Sequence, residues 1–285
     1  MTRKNIFEKL KDHYNPQEEF SVILHLFKEN TLRRFSYLAD IKDLTIEQAI
    51  DNDVLFLWKQ RGCCLNTHDI KKRLCILDCN TSILENMILC LEYMSNMIYL
   101  ANTKLLQPTY MKIKEFVILE ENLNILLEHL HYKKIVFDDE EKVILVPKDP
   151  AAIAVAEISS DDVAFAIMKY HHASLKGNLN EKRRLLVSIA NEYEPLLEKP
   201  VSGFYEYIKD AKNMLNNAHI RHNNKSGRDR KELIANMSDE ELEHWYDELY
   251  QLLLFCVLAK DNKERKEKIH DFLNRINSKP DKNKE

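Results

Sequence analysis

Asn216-Asn217-Ala218-His219-Ile220-Arg221-His222-Asn223-Asn224-Lys225-Ser226-Gly227 packs two histidines, an arginine, four carboxamides and a lysine into one short stretch. A helix end needs only a glycine and a polar residue or two, so this density of donors and proton carriers is in excess. Arg221 can fork onto a phosphate, because a guanidinium matches its geometry and keeps its charge. His219 or His222, with an ordinary pKa near about 6.5, can take a proton from a ribose 2′-hydroxyl or return one to a leaving oxygen. Asn223 and Asn224 are placed to orient the scissile phosphate. Lys225, Arg228, Arg230 and Lys231 follow, opposed only by Asp229. The set is sufficient for metal-independent phosphodiester cleavage. On a continuous helix His219 and Asn223 share a face and Arg221 points elsewhere, so convergence requires the helix to end here.

A structural reading competes with this one. The next helix opens with Asp239, Glu240, Glu241 and Glu243, an acidic face able to neutralise a basic loop through exposed pairs of small energetic consequence. Cations at a helix C-terminus also suit its dipole without any ligand. Glu194 is either an orienting carboxylate or a polar residue at a helix end. His171 and His172 point in different directions on a helix and form no chelate. Cys63 or Cys64, His68, Cys75 and Cys79 are conceivable zinc ligands, but paired knuckles are missing and packed, reduced thiols are favoured. No cofactor and no metal are expected.

The elements that must carry the cluster are mostly helices. With 285 residues, 4 Gly and 7 Pro, breakers are few. The net charge of -4 provides no global basic field, so any nucleic-acid contact must come from a local patch. Met1-Thr2-Arg3-Lys4 precedes mixed residues rather than an apolar run, and Ile83 to Leu106 carries Glu85, Glu92 and Lys104. Neither a leader nor a membrane span is expected, and a cytoplasmic location follows.

Phe20, Ile23, Leu24 and Phe27 form an apolar stripe after Pro16, and capping-box patterns stand at Thr45–Gln48 and Ser82–Glu85. The second is expected to open a long helix, with Pro108 restarting the chain into another that ends near His131. Lys134 to Val146 breaks the pattern: β-branched and aromatic flanks around Asp138-Asp139-Glu140-Glu141 predict a β-hairpin. Helices resume with starts predicted at Ser159-Ser160-Asp161-Asp162, Asn178, near Phe204 and Ser238, and with a separate last amphipathic stretch through Ile269, Phe272 and Ile276. The fold expected is mainly α: an N-terminal helical region (1–133), a β-hairpin and linker (134–150), a C-terminal helical bundle (151–276) and a charged tail (277–285).

From about Ala151 to Ala259 this order resembles a HEPN domain, a compact helical bundle common in prokaryotic toxin, abortive-infection and other phage-defence proteins. The residues that carry the resemblance are a helix ending near Tyr170, the linker Lys176-Gly177-Asn178, the helix started by Lys182 and a helix ending in an Arg-Asn-His cluster. The resemblance implies a metal-independent endoribonuclease, often dimeric, in which Arg221 is the family arginine and Asn223 the nearby polar residue. The family's histidine would fall at Ser226, Gly227 or Arg228, and none of these is histidine. His222 or His219 would therefore substitute, with Asn224, Lys225, Arg228 and Arg230 binding RNA phosphates. The alternative is a non-catalytic helical interaction or regulatory subunit of a larger defence assembly. RNA and a second copy or another protein are the partners expected.

Overall fold

A computed structural model describes residues 15–35, 41–105, 109–197 and 204–277. Pro108 and the tail beyond 277 lie outside them. The chain divides into two compact units at Lys148/Asp149. The fold is mainly α, with eleven α-helices and two small antiparallel sheets among the described residues. No helix among these residues is long and apolar enough to cross a membrane.

The first unit holds α1 (Pro16–Lys28), β1 (Leu32–Arg34), β2 (Lys42–Leu44), α2 (Ile46–Asp53), α3 (Thr67–Arg73), α4 (Leu84–Thr103), β3 (Tyr110–Lys112), α5 (Lys114–His129), β4 (Tyr132–Phe137) and β5 (Lys142–Pro147). Pro16 occupies the first turn of α1, and Thr45 closes a reciprocal capping box with Gln48 at α2. The box expected at Ser82 does not form. Its hydroxyl turns to Asn80 Oδ1 at 2.6 Å, and α4 begins at Leu84 behind Ile83. Asn80 thus competes locally for the hydroxyl that a cap would need.

α4 is the unit's buried axis, with Met87, Ile88, Leu91, Met94, Met97 and Leu100 all sealed from solvent. It also covers the outer edge of the hairpin. Val143 N–H donates to Asn96 Oδ1 at 2.8 Å, Asn96 Nδ2 donates to the Val143 carbonyl at 2.7 Å, and Leu145 N–H donates to Glu92 Oε2 at 2.7 Å. Side chains of a helix here complete a strand edge that would otherwise expose unpaired backbone. The second sheet, in order β2-β1-β3, was not expected from the sequence.

The second unit holds α6 (Pro150–Ala156), α7 (Asp161–Lys169), α8 (Leu179–Leu197), α9 (Tyr205–Asn217), α10 (Glu232–Asn236) and α11 (Asp239–Asn277). α11 packs on α6, α8 and α9. Its inward face presents Leu242, Tyr246, Leu249, Tyr250, Leu253 and Val257 to a core completed by Leu186, Ile189, Ile208 and Leu215. Ser238 and Glu241 cap it reciprocally: Glu241 N–H donates to Ser238 Oγ, and Ser238 N–H donates to the Glu241 carboxylate. The last amphipathic stretch is not a separate helix, because α11 runs unbroken to Asn277. Pro195 lies inside α8, which runs on to Leu197.

Candidate functional site

α9 ends at Asn217, and the chain turns because His219 adopts the left-handed conformation, φ 60°. Glycine or asparagine usually takes that place. The histidine is held there by three hydrogen bonds, and a fourth braces the next residue. Its N–H donates to Asn224 Oδ1 at 2.8 Å, its Nδ1 accepts from Asn224 N–H at 3.2 Å, and its carbonyl accepts from Tyr246 Oη at 3.0 Å. Arg183 Nε donates to the carbonyl of the next residue, Ile220. Burial, then the charges of Arg183 and Lys225, hold the His219 pKa below its ordinary value.

Asn224 organises the loop instead of reaching outward. It is 1% exposed, and its Nδ2 donates to the Asp229 carbonyl at 3.0 Å. Its own carbonyl accepts from Lys231 N–H at 2.8 Å. The phosphate-binding role expected for Asn224 does not fit this placement: the carboxamide is sealed from solvent, and its Oδ1 and Nδ2 each hold a backbone group of the loop rather than facing a ligand. Asn223, by contrast, is exposed, but its side chain closes a local turn onto Ser226 Oγ at 2.9 Å. Gly227, φ 79°, supplies the second left-handed residue the loop needs.

Arg221 is aimed by a residue from α8. Its Nη2 and Nη1 donate to Glu194 Oε2 and Oε1 at 2.7 and 3.1 Å, with Asn191 Oδ1 beyond at 3.4 Å. Glu194 thus holds the guanidinium through a two-point pair from the last turn of α8. The arginine's hydrogen bonds hold the Glu194 carboxyl below its ordinary pKa. The fork has five N–H groups, so Nε–H and one Nη1–H remain without a partner among the described residues. His222, the next residue, is exposed, and so are Arg228 and Arg230.

Two basic residues have acidic partners. Lys225 Nζ lies 2.9 Å from Asp239, and Arg230 lies 3.1 Å from Glu232. Glu243 does not serve the loop. Its carboxylate accepts from Gly177 N–H and pairs with Lys182 at 2.9 Å, while Asp247 pairs with the same lysine at 2.7 Å. Lys182 is 4% exposed, and this triad was not expected from the sequence. Only its spacing on α11, four residues apart on one face, could have suggested a shared partner. His171 packs edge-on to Tyr170 and Tyr250, and burial lowers its pKa. His172 is buried against Ser174.

Arg221, His222, Arg228 and Arg230 lie on one loop, Glu194 joins Arg221 from α8, and half-buried His219 and buried Asn224 bond to each other within the loop. No group of three or more His, Cys, Asp or Glu able to hold a metal occurs among the described residues. The cysteines considered as zinc ligands are free thiols, with Cys79 Sγ 3.6 Å from Cys90. Comparison with protein-family models, curated proteins and solved structures finds no match to this chain.

Proposed function

We propose that the second unit is a HEPN-like domain of the defence or toxin type, and that its 218–231 loop acts on RNA. The observation that supports this most is a hydrogen-bonded loop carrying Arg221, paired with Glu194, next to an exposed His222 and followed by exposed Arg228 and Arg230. A phosphate would take the free N–H groups of Arg221. His222 would move the proton, as base toward the 2′-hydroxyl or acid toward the leaving oxygen, and Arg221 would stabilise charge on the phosphorane. Asn223 would reach the phosphate only by giving up Ser226. His219 would act through the loop's shape. A second copy or another protein remains the expected partner.

A second reading is favoured by the ion pairs Lys225–Asp239 and Arg230–Glu232, which neutralise part of the patch internally. On that reading the unit is a non-catalytic interaction or regulatory module of a larger assembly. Purified protein against mixed cellular RNA in EDTA separates the two. Cleavage lost in Arg221→Ala and His222→Ala supports the ribonuclease, and intact RNA with the wild-type chain moves the assignment to the interaction module.

A further inference from the structure

Five of the six cysteines lie in the first unit, and two of them meet. Cys79 Sγ stands 3.6 Å from Cys90 Sγ, eleven positions further along the chain. A disulfide needs about 2.05 Å, so the sulfurs have to close by roughly 1.5 Å. The two sides of the contact differ in how far they can give. Cys90 is buried within α4, the unit's axis. Cys79 belongs to the 74–83 segment between α3 and α4, which has neither helix nor strand. The segment is fastened just beyond it: the Asn80 carbonyl accepts from Asn86 Nδ2 at 2.9 Å and from Ile83 N–H at 3.2 Å. That turn brings the loop thiol to the helix thiol, and a small shift on the loop side supplies the remaining approach.

Both sulfurs also line a cavity of about 300 Å³, with Phe27, Glu47, Lys71 and Tyr93 among its other walls. Lys28 and Leu77 line it too and are exposed, so it reaches the surface. A peroxide, little larger than a water molecule, has room to enter. Cys79 is half-buried and Cys90 is buried, so an oxidant meets the loop sulfur first. Burial, then the Cys79 sulfur beside it, pushes the Cys90 thiol up to about 12, which holds it protonated until Cys79 has reacted. Cys256 shows what packing alone looks like. It is sealed into the core of the second unit on α11, and burial pushes it up to about 11.

We infer that Cys79 and Cys90 form a reversible oxidation site, at which a peroxide converts the two thiols into a disulfide tying the 74–83 segment to α4. The Cys79 sulfur attacks one peroxide oxygen, the O–O bond breaks, and the other oxygen leaves as water with the Cys79 proton. A sulfenic acid remains on Cys79. The Cys90 sulfur then attacks the Cys79 sulfur. The S–S bond forms, the S–O bond breaks, and the hydroxyl leaves as water with the Cys90 proton. In all, the thiols give up two electrons and two protons, and the peroxide takes both to become two waters. A thiol reductant attacking the more open Cys79 sulfur restores the pair through a mixed disulfide. This rests on the first unit and not on the RNA reading.

The test treats the full reduced chain with hydrogen peroxide under native conditions. Remaining thiols are then blocked with N-ethylmaleimide in denaturant, and the peptides are mapped by mass spectrometry without reduction. The result expected is a peptide pair linked from 79 to 90, lighter by two hydrogens than the separate thiols, with Cys256 still a thiol. Dithiothreitol then returns both cysteines to the blocked form. In Cys90→Ala, with its fold checked by the far-ultraviolet spectrum, the Cys79 sulfenic acid persists and is captured by a cyclic 1,3-diketone. Cys79→Ser, at a half-buried loop position, leaves Cys90 a thiol at the same peroxide dose. Cys79 and Cys90 both blocked while exposed Cys63 and Cys75 are oxidised overturns the inference, because the contact is then packing alone. Cys79 linked to a cysteine other than Cys90 overturns the pairing. A 79–90 link that forms only in urea also overturns it, since the fold then does not position the two sulfurs.

Discussion

Asn224→Ala is the sharpest test of how the loop is held. The substitution removes two side-chain hydrogen bonds, to His219 N–H at 2.8 Å and to the Asp229 carbonyl at 3.0 Å, from a site 1% exposed. A buried group left without its partner costs about 1–3 kcal/mol. Asp229 is exposed, so its carbonyl can turn to water and contributes at the low end. His219 N–H loses the contact that offsets its left-handed backbone, itself a strain of about 1 kcal/mol. The expected loss is about 2–4 kcal/mol. Asn223→Ala, one residue away but exposed and bonded only to Ser226, should cost less than about 0.5 kcal/mol. Because the chain has two units, the readout is native-state hydrogen exchange resolved to the peptides covering 218–231 and α11. Faster exchange across 218–231 in Asn224→Ala alone is the result expected. Equal protection in the two variants would refute the assignment of Asn224 as the loop's organiser. RNA binding should fall with Asn224→Ala although no charge changes, since the display of Arg221 and His222 is lost.

Glu194→Ala should lower RNA cleavage at least tenfold with the melting temperature little changed, because Arg221 keeps its charge and loses its aim; wild-type turnover would contradict an orienting role. Lys182→Ala leaves Glu243 and Asp247 facing each other and should destabilise the second unit by about 2 kcal/mol in urea unfolding, below the ~3–5 of a fully buried pair because Asp247 is partly exposed. Acid should act in two steps. His171 and His219 are held below the ordinary histidine pKa, so the unfolded chain takes up their protons first. Their contribution is complete above pH about 6.5 and is lost as pH falls through it toward the folded values. The depressed carboxyls of Glu194 and Glu243 lose theirs only below pH about 4.3. His171→Gln should shrink the first step in a stability-against-pH series and leave the second intact; an unchanged first step would remove His171 from it.

Much of the helical framework was legible because its apolar positions repeat at the helical period, and the hairpin because its flanks do not. The sheet of β1, β2 and β3 was not: three residues carry no period, and Leu32 meets Lys112 only through the fold. α11 read as two helices for a physical reason. Its buried face stops near Leu258 and every residue from Asn262 to Asn277 is exposed, so the apolar pattern thins along one continuous helix and looks like an end. At the candidate site, the polar residues were visible but not their directions. Asn223 and Asn224 are identical in composition, and only burial separates an exposed turn residue from an interior strut. The Arg221–Glu194 pair spans two helices, so chain spacing held no sign that the two would meet.

The edge that α4 lays against the hairpin bears on how the first unit comes into being. Trp58 Nε1 donates to the Glu141 carbonyl across 83 residues, and Asn96 waits for Val143 across 47. As the chain leaves the ribosome, α1 to α5 are complete before any of these acceptors exists. Until β5 is made, a buried carboxamide, an indole N–H and the Glu92 carboxylate face a gap in an otherwise apolar layer. Pairings at such separation close slowly. A fragment stopped at residue 133 would thus be a stalled intermediate and not a domain, and the last strand acts as the latch of the first unit.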